Sequence, residues 1–470
     1  MNLAANALPS DSERERLSAV EYGYWAFLAV AVGRVNQLIP GLSSLPLAKL
    51  AIAVTAIAYL TQRRSLPALS ADGRRLMRTG LWMAGLAVLL TPISIWRSAS
   101  LNFVLFELPP LLVGTAVACS MRRSWKSLRG TLRVLLLCGF VLGALAALHY
   151  SHGRADDTNT MYDPNDLAYV LVTVIPLGLG FITLAQSRLR KVLYGLVTAT
   201  SLVAMLLTQS RGGLLGLVIV LMLVVFLPLG VAGPHNSRKR VRNLRAVFTV
   251  GLLVACTGAV IWDQLPPSAQ ARYLTLLHPN QDYNTNPNNK NGRFGVWSQG
   301  LRAFEAWPIG YGPQTFRFVD SRFGGDYRAP HNSYLQALVE LGPLGLYFLI
   351  RMYLLTLRVL RQTRSAALAW PKPPRERVER AVLSRALLYG VVGNMVSGFF
   401  LSDAYSSLPW FIFGLAAAMS TPPIGKPLEP TPSPRDSGSR VPRSAPGNPS
   451  AATLSGTGFL TERIPADRTR

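Results

Sequence analysis

Long apolar runs recur along almost the whole chain, and they decide what it can fold into. About twelve stretches of roughly 17–22 residues are predominantly apolar. At about 1.5 Å per helical residue, each is long enough to cross a hydrocarbon core of roughly 30 Å. The runs lie at about 20–39, 45–61, 79–95, 101–119, 132–149, 167–185, 192–208, 213–232, 246–262, 331–357, 382–401 and 406–420. They predict an all-α polytopic membrane protein with about 12 transmembrane helices. Half of the 470 residues are apolar and only 15% are charged, a composition that excludes an ordinary soluble enzyme.

The net charge of +25 has two readings, nucleic-acid binding or a basic set of cytoplasmic loops, and the position of the charges separates them. Arg63, Arg64, Arg74, Arg75 and Arg78 follow the second run, and Arg122, Arg123, Lys126, Arg129 and Arg133 follow the fourth. Arg188, Arg190 and Lys191 follow the sixth, RKRVRNLR the eighth, and RVLRQTR with PKPPRERVER the tenth. Every second connection is basic, as the positive-inside rule requires, so no nucleic-acid partner is expected. Both termini are then expected in the cytoplasm, and the one long loop, about 263–330, is expected on the outer side with short helices in it. Residues 1–19 read as a cytoplasmic segment with no cleavable signal pattern, 20–420 as the transmembrane domain, and the Pro- and Ser-rich 421–470 as a disordered cytoplasmic tail. Cys119, Cys138 and Cys256 lie in or at the ends of apolar runs and read as small core residues.

The informative residues are the charged and polar ones at the outer side. Arg97, Arg154 and Arg211 stand in short outer connections; Lys290, Arg293, Arg302, Arg317, Arg322 and Arg328 stand in or beside the long loop. In LLTQSRGGLLGL, Arg211 precedes two glycines at a helix start, which suits an anion cradle or a tight turn whose arginine reaches lipid headgroups. In NGRFGVWSQGLRAFEAWPIGYGPQTF, Val296, Trp297, Gly300, Leu301, Phe304 and Trp307 recur at helical spacing, so this helix either lies on the membrane surface or packs on the loop. His331 opens the tenth run beside Asn332 and Ser333, and it reads either as a polar cap or as a general base. Glu107, Glu340 and Asp403 are carboxylates in or at the ends of runs, where such groups pair with a base or line a wet cavity. Asp163 and Asp166 cap the sixth run or contact substrate. No metal cluster, Walker loop or dinucleotide fingerprint is visible, so no cofactor is expected.

SRGG between the seventh and eighth runs, GRFGVWSQGLRAFEAWPIGYG in the long loop and HNSYLQALVELGPLGL opening the tenth together resemble the O-antigen ligase and polymerase family. The resemblance implies a glycosyltransferase of the bacterial inner membrane that acts at the periplasmic face. Its donor would be a glycan on an undecaprenyl diphosphate carrier, and its acceptor a hydroxyl of lipid A core oligosaccharide, of another glycan or of a protein. Ligation, polymerisation of O-antigen or exopolysaccharide, and protein O-glycosylation all stay open. By motif, Arg211 and Arg293 would bind the diphosphate and His331 would be the base. Arg97, Arg154, Glu107, Asp166, Asn332 and Asp403 are further expected substrate contacts. A transporter without catalysis is the alternative of a different class.

Overall fold

The computed structural model describes residues 18–38, 41–42, 44–62, 68–148, 163–230, 262, 267–274, 286, 289–369 and 374–420, and among them every regular element is helical. In chain order these are α1 (Ala19–Ala31), α2 (Leu47–Gln62), α3 (Ala71–Leu90), α4 (Arg97–Asn102), α5 (Leu108–Ser120), α6 (Trp125–Leu148), α7 (Pro164–Leu184) and α8 (Arg188–Leu207). There follow α9 (Arg211–Phe226), α10 (Pro267–Leu274), α11 (Arg293–Ala306), α12 (Phe316–Arg322), α13 (Ser333–Leu368), α14 (Arg375–Ser397) and α15 (Ser407–Met419). All the described residues belong to one unit of the chain, Met1–Pro423.

Six described stretches are long and apolar enough to cross a membrane: Arg97–Ser120, Trp125–Leu148, Pro164–Leu184, Arg188–Leu207, Ser333–Leu368 and Arg375–Phe400. α9 and α15 are apolar but shorter, as is most of α2. This fits a multi-pass membrane protein, with six such helices described where twelve runs were expected. The ninth run lies outside the described residues except for Trp262, as do residues 1–17, Arg154, Cys256 and 421–470.

Local chemistry explains where helices depart from the apolar runs. α3 starts at Ala71, before the run at 79, because the Ser70 hydroxyl caps it by accepting from the Gly73 amide at 3.0 Å. The charged residues of that first stretch are good helix formers that hydropathy does not register. Pro109 and Pro110 deny amides to the preceding turn, and the disturbance they predict is present as a π turn at Phe103–Glu107.

Small residues bring the helices close. A methyl on Gly216 of α9 would stand 2.5 Å from the Ser397 hydroxyl and 2.9 Å from the Gly393 carbonyl of α14, so these backbones approach without side chains between them. α14 also packs on α7 and α13, α13 on α3, and α15 on α5. At the ends of these helices remote from His331, arginines are used to fasten carbonyls and acids. Arg364 donates to the carbonyls of Leu229, Gly230 and Ala381, and Glu379 accepts from Trp125, Arg129 and Arg375.

α11 packs on neighbouring loop segments, the second of its two readings. Its Val296 and Ala303 are buried with Tyr311, with Phe316 and Val319 of α12, and with Leu335 and Val339 of α13. Leu301 and Trp307, from the same apolar stripe, remain nearly half exposed.

α13 is not one continuous helix. At Gly342 the backbone turns to φ 69°, ψ −171°, and Pro343 follows without an amide, so the carbonyls of the preceding turn are released. The loop segment Pro308–Pro313 fills the break. The Tyr311 amide donates to the Val339 carbonyl at 3.0 Å and the Gly312 amide to the Glu340 carbonyl at 2.9 Å. Both strands of this crossing need glycine: a methyl on Gly342 would stand 2.5 Å from the Ile309 carbonyl oxygen, and one on Gly310 (φ 111°) would stand 2.7 Å from that of Glu340. The Glu340 carboxylate completes the joint by accepting the amides of Gln314 and Phe316, each at 3.0 Å.

Candidate active site at four helix N-termini

His331 stands in the connection from the loop to α13, with φ 43°, a left-handed conformation that costs a residue with a side chain about 1 kcal/mol or more. Its neighbours hold it there. The Trp297 indole of α11 donates to the Pro330 carbonyl at 2.7 Å, and the His331 amide donates to the Ser402 hydroxyl at 2.9 Å. Asn332 is the N-cap of α13, its side-chain oxygen accepting from the amides of Tyr334 and Leu335 at 3.0 Å each. Ser333 ties this start to the turn after α14: its hydroxyl donates to the Leu401 carbonyl and accepts from the Asp403 amide, at 2.8 and 2.9 Å.

Arg211 is the first residue of α9 and is buried. The two glycines after it serve close packing. A methyl on Gly212 would stand 2.5 Å from Cβ of Phe400, and one on Gly213 would stand 2.6 Å from Cβ of Ala168 in α7. The Gly213 amide is already capped by the Ser210 hydroxyl at 3.3 Å, so only part of the α9 amide cradle expected from the SRGG motif is left open. Arg293 is the first residue of α11, and its guanidinium lies over the Phe400 ring, 5.6 Å from the centroid. The turn 398–403 is therefore the common ground. Phe400 touches the start of α9 and the Arg293 head group, while Ser402 holds His331.

A fourth helix start joins them. Asp163 caps α7 by accepting the amides of Asn165 and Asp166 at 2.6 and 3.0 Å, the capping reading of that residue. Its charge reaches both His331 and Asp403. Asp166 lies in the first turn of α7, within reach of the Asp163 and Asp403 carboxylates and of Arg34. Four helix starts are thus tied to one turn, two of them opening on a guanidinium suited to an anion and a third on the acids Asp163 and Asp166 beside Asp403.

The electrostatics of His331 favour a neutral ring. Burial holds its pKa below the usual histidine value, the Arg293 charge and then those of Arg317 and Arg328 push the same way, and Asp163 opposes them. A neutral imidazole accepts a proton, which is what a base needs. Asp403 is half-buried, and its removal from water first, then Asp163, pushes its carboxyl up to about 7. Its Oδ2 has no hydrogen-bond partner among the described residues.

Two of the other expected contacts stand apart. Arg97 is exposed at the start of α4 beside Trp96, and Glu107 in the π turn accepts a 3.4 Å hydrogen bond from the Gln314 amide. Both belong to the rim around residues 308–316. Arg154 lies outside the described residues. Ser402 and Phe400 were not singled out from the sequence, and no motif marks them; Ser333 was seen only as a neighbour of His331, and all three act through hydrogen bonds and ring contacts to residues far away in the chain.

Residues 196–350 match the family model described as O-Antigen ligase. That stretch supports membership of the O-antigen ligase family, whose members handle lipid-linked glycans. It contains Arg211, Arg293 and His331 and stops before the 398–403 turn on which they gather. A search of curated proteins finds no match to the chain.

Proposed function

We propose that the protein transfers a glycan from an undecaprenyl diphosphate carrier to an acceptor hydroxyl at the periplasmic face of the bacterial inner membrane, with lipid A core oligosaccharide as the acceptor. The observation that carries the reading is the gathering of Arg211, Arg293 and His331 around one turn, at helix N-termini. The acceptor oxygen attacks the anomeric carbon of the donor sugar while the bond from that carbon to the diphosphate oxygen breaks. The acceptor proton passes to the neutral His331 ring, and the electron pair leaves with the diphosphate. Arg211 and Arg293 stabilise the charge that grows on the leaving oxygen, through fork-shaped pairing that lysine does not reproduce. The diphosphate bond supplies the driving force, so the reaction needs neither a nucleotide nor a metal ion.

The test is transfer in membranes supplied with lipid-linked donor and lipid A core acceptor. His331→Ala is expected to lower the rate by about 10²- to 10⁴-fold, the usual worth of a positioned base, with the protein still folded. Unchanged product would sink the assignment.

A further inference from the structure

We propose that a cavity on the loop side of the site is a subsite for an anionic sugar. The cavity has a volume of about 420 Å³ and is lined by Ile93, Ile95, Trp307, Tyr311, Arg322 and Phe323. This deepens the glycan-transfer reading and rests on it for the source of the sugar.

Three observations point to this ligand. The lining is aromatic and aliphatic with one formal charge, the Arg322 guanidinium, and no carboxylate lines the cavity. An aromatic wall offers its face to the C–H groups of a pyranose ring, and a guanidinium fork matches a carboxylate or phosphate on that ring. Secondly, the segments that line the cavity also carry a cluster of half-exposed rings, Trp96 next to Ile95 and Phe318 on the helix of Arg322. Trp96 lies 5.6 Å from Phe318 and 6.4 Å from Tyr327, centroid to centroid, and Phe318 stands one turn before Arg322 on α12. Thirdly, two of the three segments carrying these rings also carry Arg317 and Arg328, whose charges reach His331. A saccharide lying along these rings thus leads from the cavity towards the reacting centre.

The floor of the subsite is built to stay in place. The Tyr311 hydroxyl is engaged with the Ala303 carbonyl at 3.0 Å, its amide with α13, and its carbonyl with the Ile95 amide at 3.0 Å. The segment carrying Tyr327 is fastened where buried Asp320 accepts the Arg328 amide at 2.8 Å. Tyr327 itself is held at φ 61°. Ile93, Trp307 and Arg322 are exposed members of the lining.

The experiment is equilibrium binding of trigalacturonate and of the neutral maltotriose to the full protein in phosphatidylcholine nanodiscs, read by saturation-transfer NMR. The acidic sugar is expected to bind at least about tenfold more tightly than the neutral one, the effect of one guanidinium–carboxylate pairing. Arg322→Gln is expected to erase that preference and Trp307→Ala to weaken both sugars, with thermal unfolding reported for each variant. His331→Ala is expected to leave binding unchanged, so a failure of the transfer reading stays separate from a failure of this one. Displacement of trigalacturonate by lipid-linked glycan would assign the subsite to the donor, and displacement by the delipidated acceptor saccharide would assign it to the acceptor. No binding of trigalacturonate, binding indifferent to Arg322→Gln, or loss of binding when phosphatidylglycerol is added would overturn the proposal, the last in favour of a lipid headgroup site.

Discussion

Glu340, buried, and Asp403, half-buried, are two carboxylates tied to α13, and they are used in opposite ways. Glu340 accepts two backbone amides from the loop, Gln314 and Phe316, and so fastens the loop to the break in α13. Asp403 has its backbone amide held by Ser333, but its Oδ2 lacks a partner among the described residues, and the charges that reach it include the acids Asp163 and Asp166. A saturated carboxylate is part of the frame, whereas one with an unpaired oxygen beside other acids has its hydrogen-bonding capacity left over. The contrast separates a rigid loop joint from a chemically poised turn 398–403, both within reach of α13.

The sharpest way to break that contrast is Glu340→Ala. It strands the buried Phe316 amide and the partly buried Gln314 amide and is expected to lower stability by about 2–5 kcal/mol, read as the unfolding temperature in detergent, with activity falling only in step with the folded fraction. An unchanged melting temperature would remove Glu340 from the frame. Next in size is Gly342→Ala, which drives a methyl against the Ile309 carbonyl and holds alanine at positive φ, for about 1–3 kcal/mol on the same readout.

The turn is tested through protons. The charge of Arg293 helps hold the His331 pKa down, so wild-type transfer is expected to keep its rate below pH 6.5 before the ring protonates. Arg293→Gln removes one cation from beside the ring, and the acid limb of the pH–rate profile is expected to move to higher pH, whatever the loss in absolute rate; an unmoved limb would separate the two residues. The smallest effect is expected for Asp403→Asn. Because burial raises the Asp403 carboxyl to about 7, far above its value in an unfolded chain, its contribution to stability is lost as pH rises through that range. The asparagine variant is therefore expected to melt higher than wild type at pH 8 and to lose that advantage at pH 5.

The charged residues and the histidine that the fold gathers were visible in the sequence, and the scaffold that gathers them was not. Arg211, Arg293 and His331 stood out because a charge or an imidazole beside a long apolar run is costly and therefore informative. Phe400 and Ser402 carry no such signal: an aromatic residue and a serine at the end of an apolar run are ordinary, and only the fold brings them to Gly212, Arg293 and His331. Glu340 was visible as an embedded carboxylate, but its expected partner was a base or water; backbone amides 24 and 26 residues away leave no side-chain trace. The break at Gly342 was signalled by the Gly–Pro pair and overridden by the apolar continuity of 331–357. Hydropathy records how lipid receives a segment and is blind to whether its helix is continuous.

The glycine crossing also determines what can be exchanged between related proteins. PIGYGP and ELGP are some thirty residues apart in the chain, yet each supplies the gap that the other's backbone occupies. A chimera that transplants the loop alone would bring a foreign contour against the native groove, and one that transplants the membrane helix alone would do the reverse. The unit to exchange in such a chimera runs from Arg293 through Gly345, so that the loop, His331 and the first turns of α13 move together.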